Sequence, residues 1–485
     1  MAAGTTAVLA AALLVGPAAT NPTGAALVAV DAAAPPRVAR TLSTAESGRP
    51  GAADSAGAAA RGQVLAVAEP LDPAAPIPDK AAVASLAAAH LAAAQVGPAS
   101  VSVRDLLTGQ DLFAADPSRA LAPASTLKIL TAIAALATIG PDAKLTTAAV
   151  LTRTGAATGT VTLVAGGDTT LGPDAASPGQ VMGRAGLGDL AWQAAVELRR
   201  LGVEAVEVRL DDTVFSGPAV YPDWEWSLGS TWGAPATPLA VMGGRAGAAF
   251  DAVTYLADPA LGAAQQFASR LAAAGRDTSV ALPLLAVTGA VARAAAPARS
   301  EPLAVVESAP IRELAAHLLR QSDNTLAESL GRMTAVAMGE PGSFEGCAAA
   351  VKRALADLGA PTEGLAIDDC SGLSHGSAVS AATLTSALAL AAGPDAGKLG
   401  AAVRSLPVAA LQGTLINRFN QTGAAGNLRA KTGTLTGVTS LAGLVQTAGG
   451  RELVFAVIAN PDQTIWTDSA RQSIDRFVAA LADLA

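Results

Sequence analysis

The chain has 485 residues, of which 51% are hydrophobic, 15% charged and 3% aromatic; that length predicts more than one domain, with cores built from Ala, Val and Leu. A formal net charge of −8, with no run of Lys or Arg, excludes the basic footprint of a nucleic-acid binder. Three histidines, two distant cysteines and no His-Glu-x-x-His pair leave a zinc peptidase without ligands, so neither metal nor cofactor is expected.

Residues 1–30 carry no charged side chain, and 7–15 form an apolar run that ends at Gly16-Pro17. This reads as a signal peptide, although no Lys or Arg precedes the run; a short anchor is the rival reading. An extracytoplasmic protein is expected, with membrane association only through this segment if it stays uncleaved. Residues 31–75, rich in Ala, Gly, Pro and Ser without hydrophobic period, read as a flexible tether.

An alanine-rich helix is predicted over 81–94, then a strand hairpin from Val101 and Val103 through Thr108-Gly109 to Leu112-Phe113. Pro123 is placed to start a helix over 125–139, where Leu127, Leu130, Ile133 and Leu136 recur at helical spacing and Ser125 sits in the first turn. From Lys144 the pattern changes to short alternating strands at 160–164 and 206–210, with helices at 187–201 and 261–273. We read 144–300 as an inserted α+β domain. The chain returns with a strand at 303–306 and a helix at 311–318, directly before Ser322. Strands at 437–446 and 453–459 join at Gly449-Gly450, and a final helix covers 467–484. Segments 76–143 and 301–485 thus form one interrupted domain.

Three runs carry chemistry. In Ser125-Thr126-Leu127-Lys128, residues three apart share a helix face, so the Lys128 amine can reach the Ser125 hydroxyl and take its proton. The amine must be neutral, and burial plus a second cation, Lys431, are expected to lower its pKa. Ser322-Asp323-Asn324 offers a hydroxyl and an amide to relay a proton and hold a carbonyl; taken alone it would be a helix cap. Lys431-Thr432-Gly433 puts an ammonium and a hydroxyl at the head of an apolar strand, with Gly433 admitting a substrate backbone; taken alone it would be a surface turn. The ordered conjunction is far more specific than any part. His90 and His317 read as packed or partly exposed side chains, and His375 lacks a nucleophile-elbow context. Cys347 and Cys370 are either one disulfide or two small buried hydrophobes.

With these motifs in place the chain resembles the penicillin-binding D-Ala-D-Ala carboxypeptidases and endopeptidases, the low-molecular-mass class C penicillin-binding proteins. Further runs carry the likeness: Gly166-Gly167-Asp168, Asp211-Asp212-Thr213-Val214-Phe215, Asp369-Cys370-Ser371-Gly372-Leu373-Ser374, Gly413-Thr414-Leu415, and Leu428-Arg429-Ala430-Lys431-Thr432-Gly433-Thr434. The resemblance spans residue 75 to the C-terminus. It implies a β-lactamase/transpeptidase-like α/β (α+β) fold, with a five-stranded antiparallel sheet between helical layers, interrupted by the insertion. It also implies a cell-envelope serine carboxypeptidase that trims peptidoglycan stem peptides through a Ser125 acyl-enzyme and binds β-lactams covalently, and it allows endopeptidase activity at the same site. By the same likeness Lys128 is the base, Ser322 the relay and Asn324 the substrate-amide contact. Lys431 and Thr432 would receive the terminal carboxylate, and the N–H groups of Ser125 and Thr434 would form the oxyanion hole. Cys370 and His375 depart from the glycine and arginine expected at their positions. The alternatives are a β-lactamase, with Glu328 or Glu345 as candidates to activate water, or a non-catalytic wall-binding scaffold.

Overall fold

The computed structural model describes residues 72–224, 232–246, 254–279, 282–461 and 465–485. The expected signal segment and nearly all of the tether lie outside the described residues. Residues 72–75 were assigned to the tether, yet Ala75 is buried and Arg451 Nη1 donates to the carbonyls of Pro73 and Ala75, each at 3.2 Å. Packed chain therefore begins slightly ahead of residue 76.

Period-2 alternation explains the first sheet. Strand β12 (Glu452–Ala459) sends Leu453, Phe455 and Val457 into a core shared with Phe477 and Val478 of the helix Thr467–Ala482. Its Val454, Ala456 and Ile458 enter a second core with Leu130 and Ile133 of the helix Leu127–Thr138. Both faces are covered, which is why the run is apolar throughout. With β1 (Ala99–Asp105), β2 (Asp111–Ala115), β10 (Leu428–Leu435) and β11 (Val438–Gln446) it forms a sheet of order β10-β11-β12-β1-β2, antiparallel at every pairing. β10 is an edge, so the Lys431 motif lies within a strand of its own rather than at the head of the next one.

A second five-stranded sheet comes from the segment inserted between the helix Leu127–Thr138 and the helix Ile311–Gln321. Its strands are β3 (Lys144–Arg153), β4 (Thr158–Val164), β6 (Ala205–Asp211), β8 (Ala286–Arg293) and β9 (Glu301–Pro310), in the order β8-β6-β4-β3-β9. The β4–β6 and β6–β8 pairs are parallel; the pairs made by β3 are antiparallel. Helices Leu187–Arg200 and Pro259–Gly275 cover one face, closing a core that contains Leu151, Val161, Leu198 and Phe267. The strand expected at 303–306 exists within β9, but it pairs with β3, Val305 opposite Ala148, instead of joining the first sheet. The excursion thus ends at Pro310 rather than at 300, because β9 completes the free edge of β3 before the next helix starts.

Two short parallel strands, β5 (Asp168–Leu171) and β7 (Leu239–Val241), run beside the helix Asn324–Ala337. The Gly167 carbonyl accepts from Ser329 Oγ at 2.5 Å, so the Gly166-Gly167-Asp168 run ties the inserted segment to the helix that carries Asn324. Cys347, on the helix Phe344–Asp357, is joined to Cys370 by a disulfide, with Cα atoms 6.8 Å apart.

Candidate active site

The Ser125 turn is a short 3-10 segment, Ala124–Thr126, that feeds the helix Leu127–Thr138. Ala124 has φ +48°, a left-handed conformation that costs a non-glycine residue about 1–3 kcal/mol and persists only where surroundings enforce it. Here they do. The Pro123 carbonyl accepts from Ser440 Oγ at 2.6 Å and from Thr126 Oγ1 at 2.7 Å. Gly372 and Gly433 press on Ala124 from two directions: a Cβ on Gly372 would strike the Ala124 carbonyl, and one on Gly433 would come within 2.6 Å of the Pro123 oxygen. Gly433 is therefore small because the edge strand packs on the nucleophile turn, a different reason from the substrate approach expected from sequence.

Lys128 is wholly buried, and its Nζ has three neighbours: Ser125 Oγ at 2.9 Å, Asn324 Oδ1 at 2.5 Å and the Ser371 carbonyl at 2.5 Å. Two of these can only accept, so they take two N–H groups. The remaining tetrahedral position faces Ser125 Oγ. When the amine is neutral that position is a lone pair, and the Ser125 O–H donates into it. Burial lowers the Lys128 pKa to about 8 against the opposing pull of Asp369, Glu328 and Asp323. The second cation expected to help does not enter: burial, then the charges of Lys128 and Arg418, hold Lys431 well below the ordinary lysine range.

Ser322 caps the helix Ile311–Gln321 in a left-handed conformation, φ +57°, and lines the cleft with Ser125. Asp323 is a helix cap, as its motif taken alone predicts: its Oδ1 accepts from the Leu326 N–H at 3.0 Å, and His317 Nε2 stands 3.6 Å from Oδ2. Burial would raise the Asp323 pKa, but the His317 contact and the Leu326 N–H lower it overall. Asn324, the first residue of the helix Asn324–Ala337, is held at both ends of its amide, Oδ1 by Lys128 and Nδ2 by the Trp232 carbonyl at 2.7 Å. Flipping the amide would set its NH₂ against the lysine donors and its oxygen against a carbonyl, so the environment dictates the orientation.

Across the cleft, Thr432, Thr434 and Thr414 line the wall, with Thr432 Oγ1 donating to Thr414 Oγ1 at 3.0 Å. Lys431 stands apart from them. It is fully buried and donates to the Thr432 carbonyl at 2.7 Å, so it acts from behind the wall rather than as a surface ammonium. Ser125, at the start of a helical segment, keeps a backbone N–H without an intrahelical partner. The whole cleft, about 1580 Å³, is bounded on its far side by Asp174, Gln180, Arg245 and Tyr255 of the inserted segment and by Trp466.

A serine bonded to a buried lysine, clamped by an Asn and faced by a Thr-lined edge strand, is acyl-transfer geometry. Residues 81–254 and 239–481 match the D-Ala-D-Ala carboxypeptidase 3 (S13) family. The chain belongs to this family. Carboxypeptidase Rv3627c of Mycobacterium tuberculosis is 38% identical over 79% of this chain and 82% of its own length. Carboxypeptidase DacB of Mycolicibacterium smegmatis is 36% identical, covering 85% and 86%. The crystal structure of penicillin-binding protein 4 from Haemophilus influenzae shares the fold, with a TM-score of 0.64 over 82% of this chain and 98% of that one at 20% identity.

As a serine-type carboxypeptidase of this family, the chain uses groups that residue-type reasoning did not single out. The Ser371 carbonyl on Lys128 and the Trp232 carbonyl on Asn324 are backbone atoms. Asp369 organises the loop beneath them: its Oδ1 accepts from the N–H groups of Ser371 and Gly372 at 3.1 and 2.5 Å, and its Oδ2 from Ser374 N and Trp224 Nε1, each at 2.7 Å. The only advance signal for Asp369 was its place in the family-like run. His375 lines the cleft, with Nε2 3.2 Å from the Thr436 carbonyl. Glu328 is fully buried and Glu345 is exposed outside the cleft lining.

Proposed function

We propose that Ser125 is the nucleophile of a D-Ala-D-Ala carboxypeptidase acting on peptidoglycan stem peptides. The observation that carries this is the three-point hold on Lys128, which leaves one direction for its lone pair, toward Ser125 Oγ. As Oγ attacks the carbonyl carbon of the penultimate D-Ala, its proton passes to Lys128 Nζ and the carbonyl oxygen becomes an oxyanion facing the N–H groups of Ser125 and Thr434. Collapse breaks the C–N bond. The departing D-Ala amine takes a proton by way of Ser322, and water then cleaves the Ser125 ester. A substrate lying antiparallel along the free edge of β10 would present its terminal carboxylate to Thr432 and Thr414. That anion would raise the pKa of Lys431 behind them, so binding restores the charge that burial withholds.

β-Lactams would acylate the same serine; the Haemophilus influenzae relative was solved in complex with one. A long-lived adduct fits this chain better than β-lactamase turnover. Glu328 Oε2 accepts from the Cys370 N–H and the side chain has no solvent access, and Glu345 lies off the cleft, so neither can hold a deacylating water. Cleavage of cross-links as a second activity is compatible with the breadth of the cleft. No helix among the described residues is long and apolar enough to cross a membrane. Substrate chemistry and the N-terminal apolar run support an extracytoplasmic location. The test is release of D-Ala from an N-acylated peptide ending in L-Lys-D-Ala-D-Ala. Wild type should release it and Ser125→Ala should not; release by the variant would overturn the assignment.

A further inference from the structure

Behind the lysine base lies a carboxyl group that the acylation chemistry leaves unused. Glu328 is one turn into the helix Asn324–Ala337 and has no exposed surface. Its Oε2 accepts from the Cys370 N–H at 3.2 Å. The Ser371 hydroxyl faces the carboxyl and favours its ionised form, yet neither Ser371 Oγ nor Glu328 Oε1 has a partner at full hydrogen-bond geometry. The next atom group along that chain, the Ser371 carbonyl, is one of the two acceptors that fix Lys128 Nζ. Thr131 Oγ1 holds the Cys370 carbonyl at 2.7 Å, and the disulfide to Cys347 anchors the same residue, so a short segment joins Glu328 to the amine.

Which carboxyl here carries the charge follows from the donors around each. Asp369 receives four N–H donors, three from backbone and one from Trp224, which suits an anion. Glu328 receives one. Arg332 follows it by one helical turn and its charge opposes the upward shift, but its Nη groups donate to the carbonyls of Ser216, Gly342 and Pro218, and its guanidinium lies 4.2 Å from the Phe344 ring, so it gives Glu328 no hydrogen bond among the described residues. The other charged groups around the site are Lys128 on the nucleophile helix, Asp323 at the cap of Glu328's own helix and Glu345 on the helix Phe344–Asp357, which is exposed. Two buried neighbouring carboxyls do not both ionise readily, so the carboxyl with fewer donors, Glu328, is the one whose ionisation is disfavoured. Burial, then the Asp369 charge, push the Glu328 pKa up to about 8.

We propose that Glu328 is a positioning residue for the lysine base: it secures the Cys370–Ser371 segment whose carbonyl aims Lys128 Nζ, and its protonation is coupled to that of the amine, the neutral acid leaving the amine free and the carboxylate favouring the ammonium. The inference rests on Lys128 acting as the base. Glu328 and Lys128 then share a proton economy in which the productive form is the amine beside the acid, and the ammonium beside the carboxylate is idle.

The experiment follows the second-order rate of acylation by a fluorescent penicillin against pH, in wild type, Glu328→Gln and Glu328→Ala. Gln cannot ionise, so the half-rise of the rate should move about one pH unit lower than in wild type. Ala should drop the plateau more than about tenfold, with Gln restoring most of it. A purely structural role would lower the plateau without moving the half-rise. Superimposable wild-type and Gln profiles would overturn the proposal, as would an Ala variant that keeps both plateau and half-rise. If the variants do not fold, isotope-edited infrared spectroscopy of glutamate-labelled wild type decides: a protonated carboxyl band present at neutral pH and titrating near pH 8 is expected, and its absence overturns the proposal. A wild type that never labels would count against the functional reading itself, before Glu328 is tested.

Discussion

Raising or lowering pH perturbs Lys128 directly, and the structure sets the size of the response. Burial takes its pKa from 10.5 to about 8. At pH 7 that raises the free-amine fraction from about 0.03% to about 9%, roughly 300-fold, equivalent to about 3.4 kcal/mol in favour of the reactive form. The sign follows from the chemistry: only the amine has a lone pair for the Ser125 proton, so acidification below about pH 8 protonates the base and slows attack. Stopped-flow acylation by a fluorescent penicillin from about pH 5.5 to 9.5 should rise about tenfold per pH unit on the acid side and level off above about pH 8. Lys128→Arg should lose the response along with the activity, because a guanidinium stays charged throughout. A rate that changes by less than about twofold between pH 6 and 9 would refute the reasoning, as would a rise that continues without a bend to about pH 9.5.

Two further outcomes test the frame around the site. Gly433→Ala places a Cβ 2.6 Å from the Pro123 oxygen and against Ser440 Oγ, so the edge strand and the Ser125 turn must separate. We expect a stability loss of about 1–3 kcal/mol in urea titration and acylation slowed by more than about 100-fold, whereas full activity would show that the strand does not brace the turn. Arg451→Met leaves Asp105 buried without its partner, since the two form an ion pair at 2.5 Å with side chains 3% and 0% exposed. A loss of about 3–5 kcal/mol is expected, and an unchanged thermal midpoint would contradict it.

How far the site could be read in advance depends on which atoms do the work. Ser125 and Lys128 are legible because helix geometry makes an i,i+3 pair meet, and Asp323 because a capping carboxylate before a helix has a known geometry. Asn324 was found by motif, but both partners that orient it escape inspection, since one is the backbone carbonyl of Trp232. The same holds for the Ser371 carbonyl on Lys128, 243 positions along the chain. A carbonyl has no residue-type signature, so its position is known only once the chain is folded. Lys431 reads from its motif as an ammonium beside the site, and only packing reveals that it is buried behind Thr432. In the fold, the continuous apolar runs of β11 and β12 predicted strands covered by the final helix. For β9 the same signal predicted a strand but not its neighbour, because alternation encodes which face is buried and leaves the pairing partner to topology. The separation of Ser125 and Ser322, too great for a single helix and loop, is filled mainly by the second five-stranded sheet and its helices.

The central claim is that Ser125, activated by Lys128, becomes acylated. Peptide mapping by mass spectrometry after reaction with benzylpenicillin tests it most directly. The account predicts one penicilloyl group, on the peptide carrying Ser125, in wild type and none in Ser125→Ala or Lys128→Met of confirmed fold. An adduct on any other residue, or undiminished labelling of the folded Ser125→Ala variant, would contradict it.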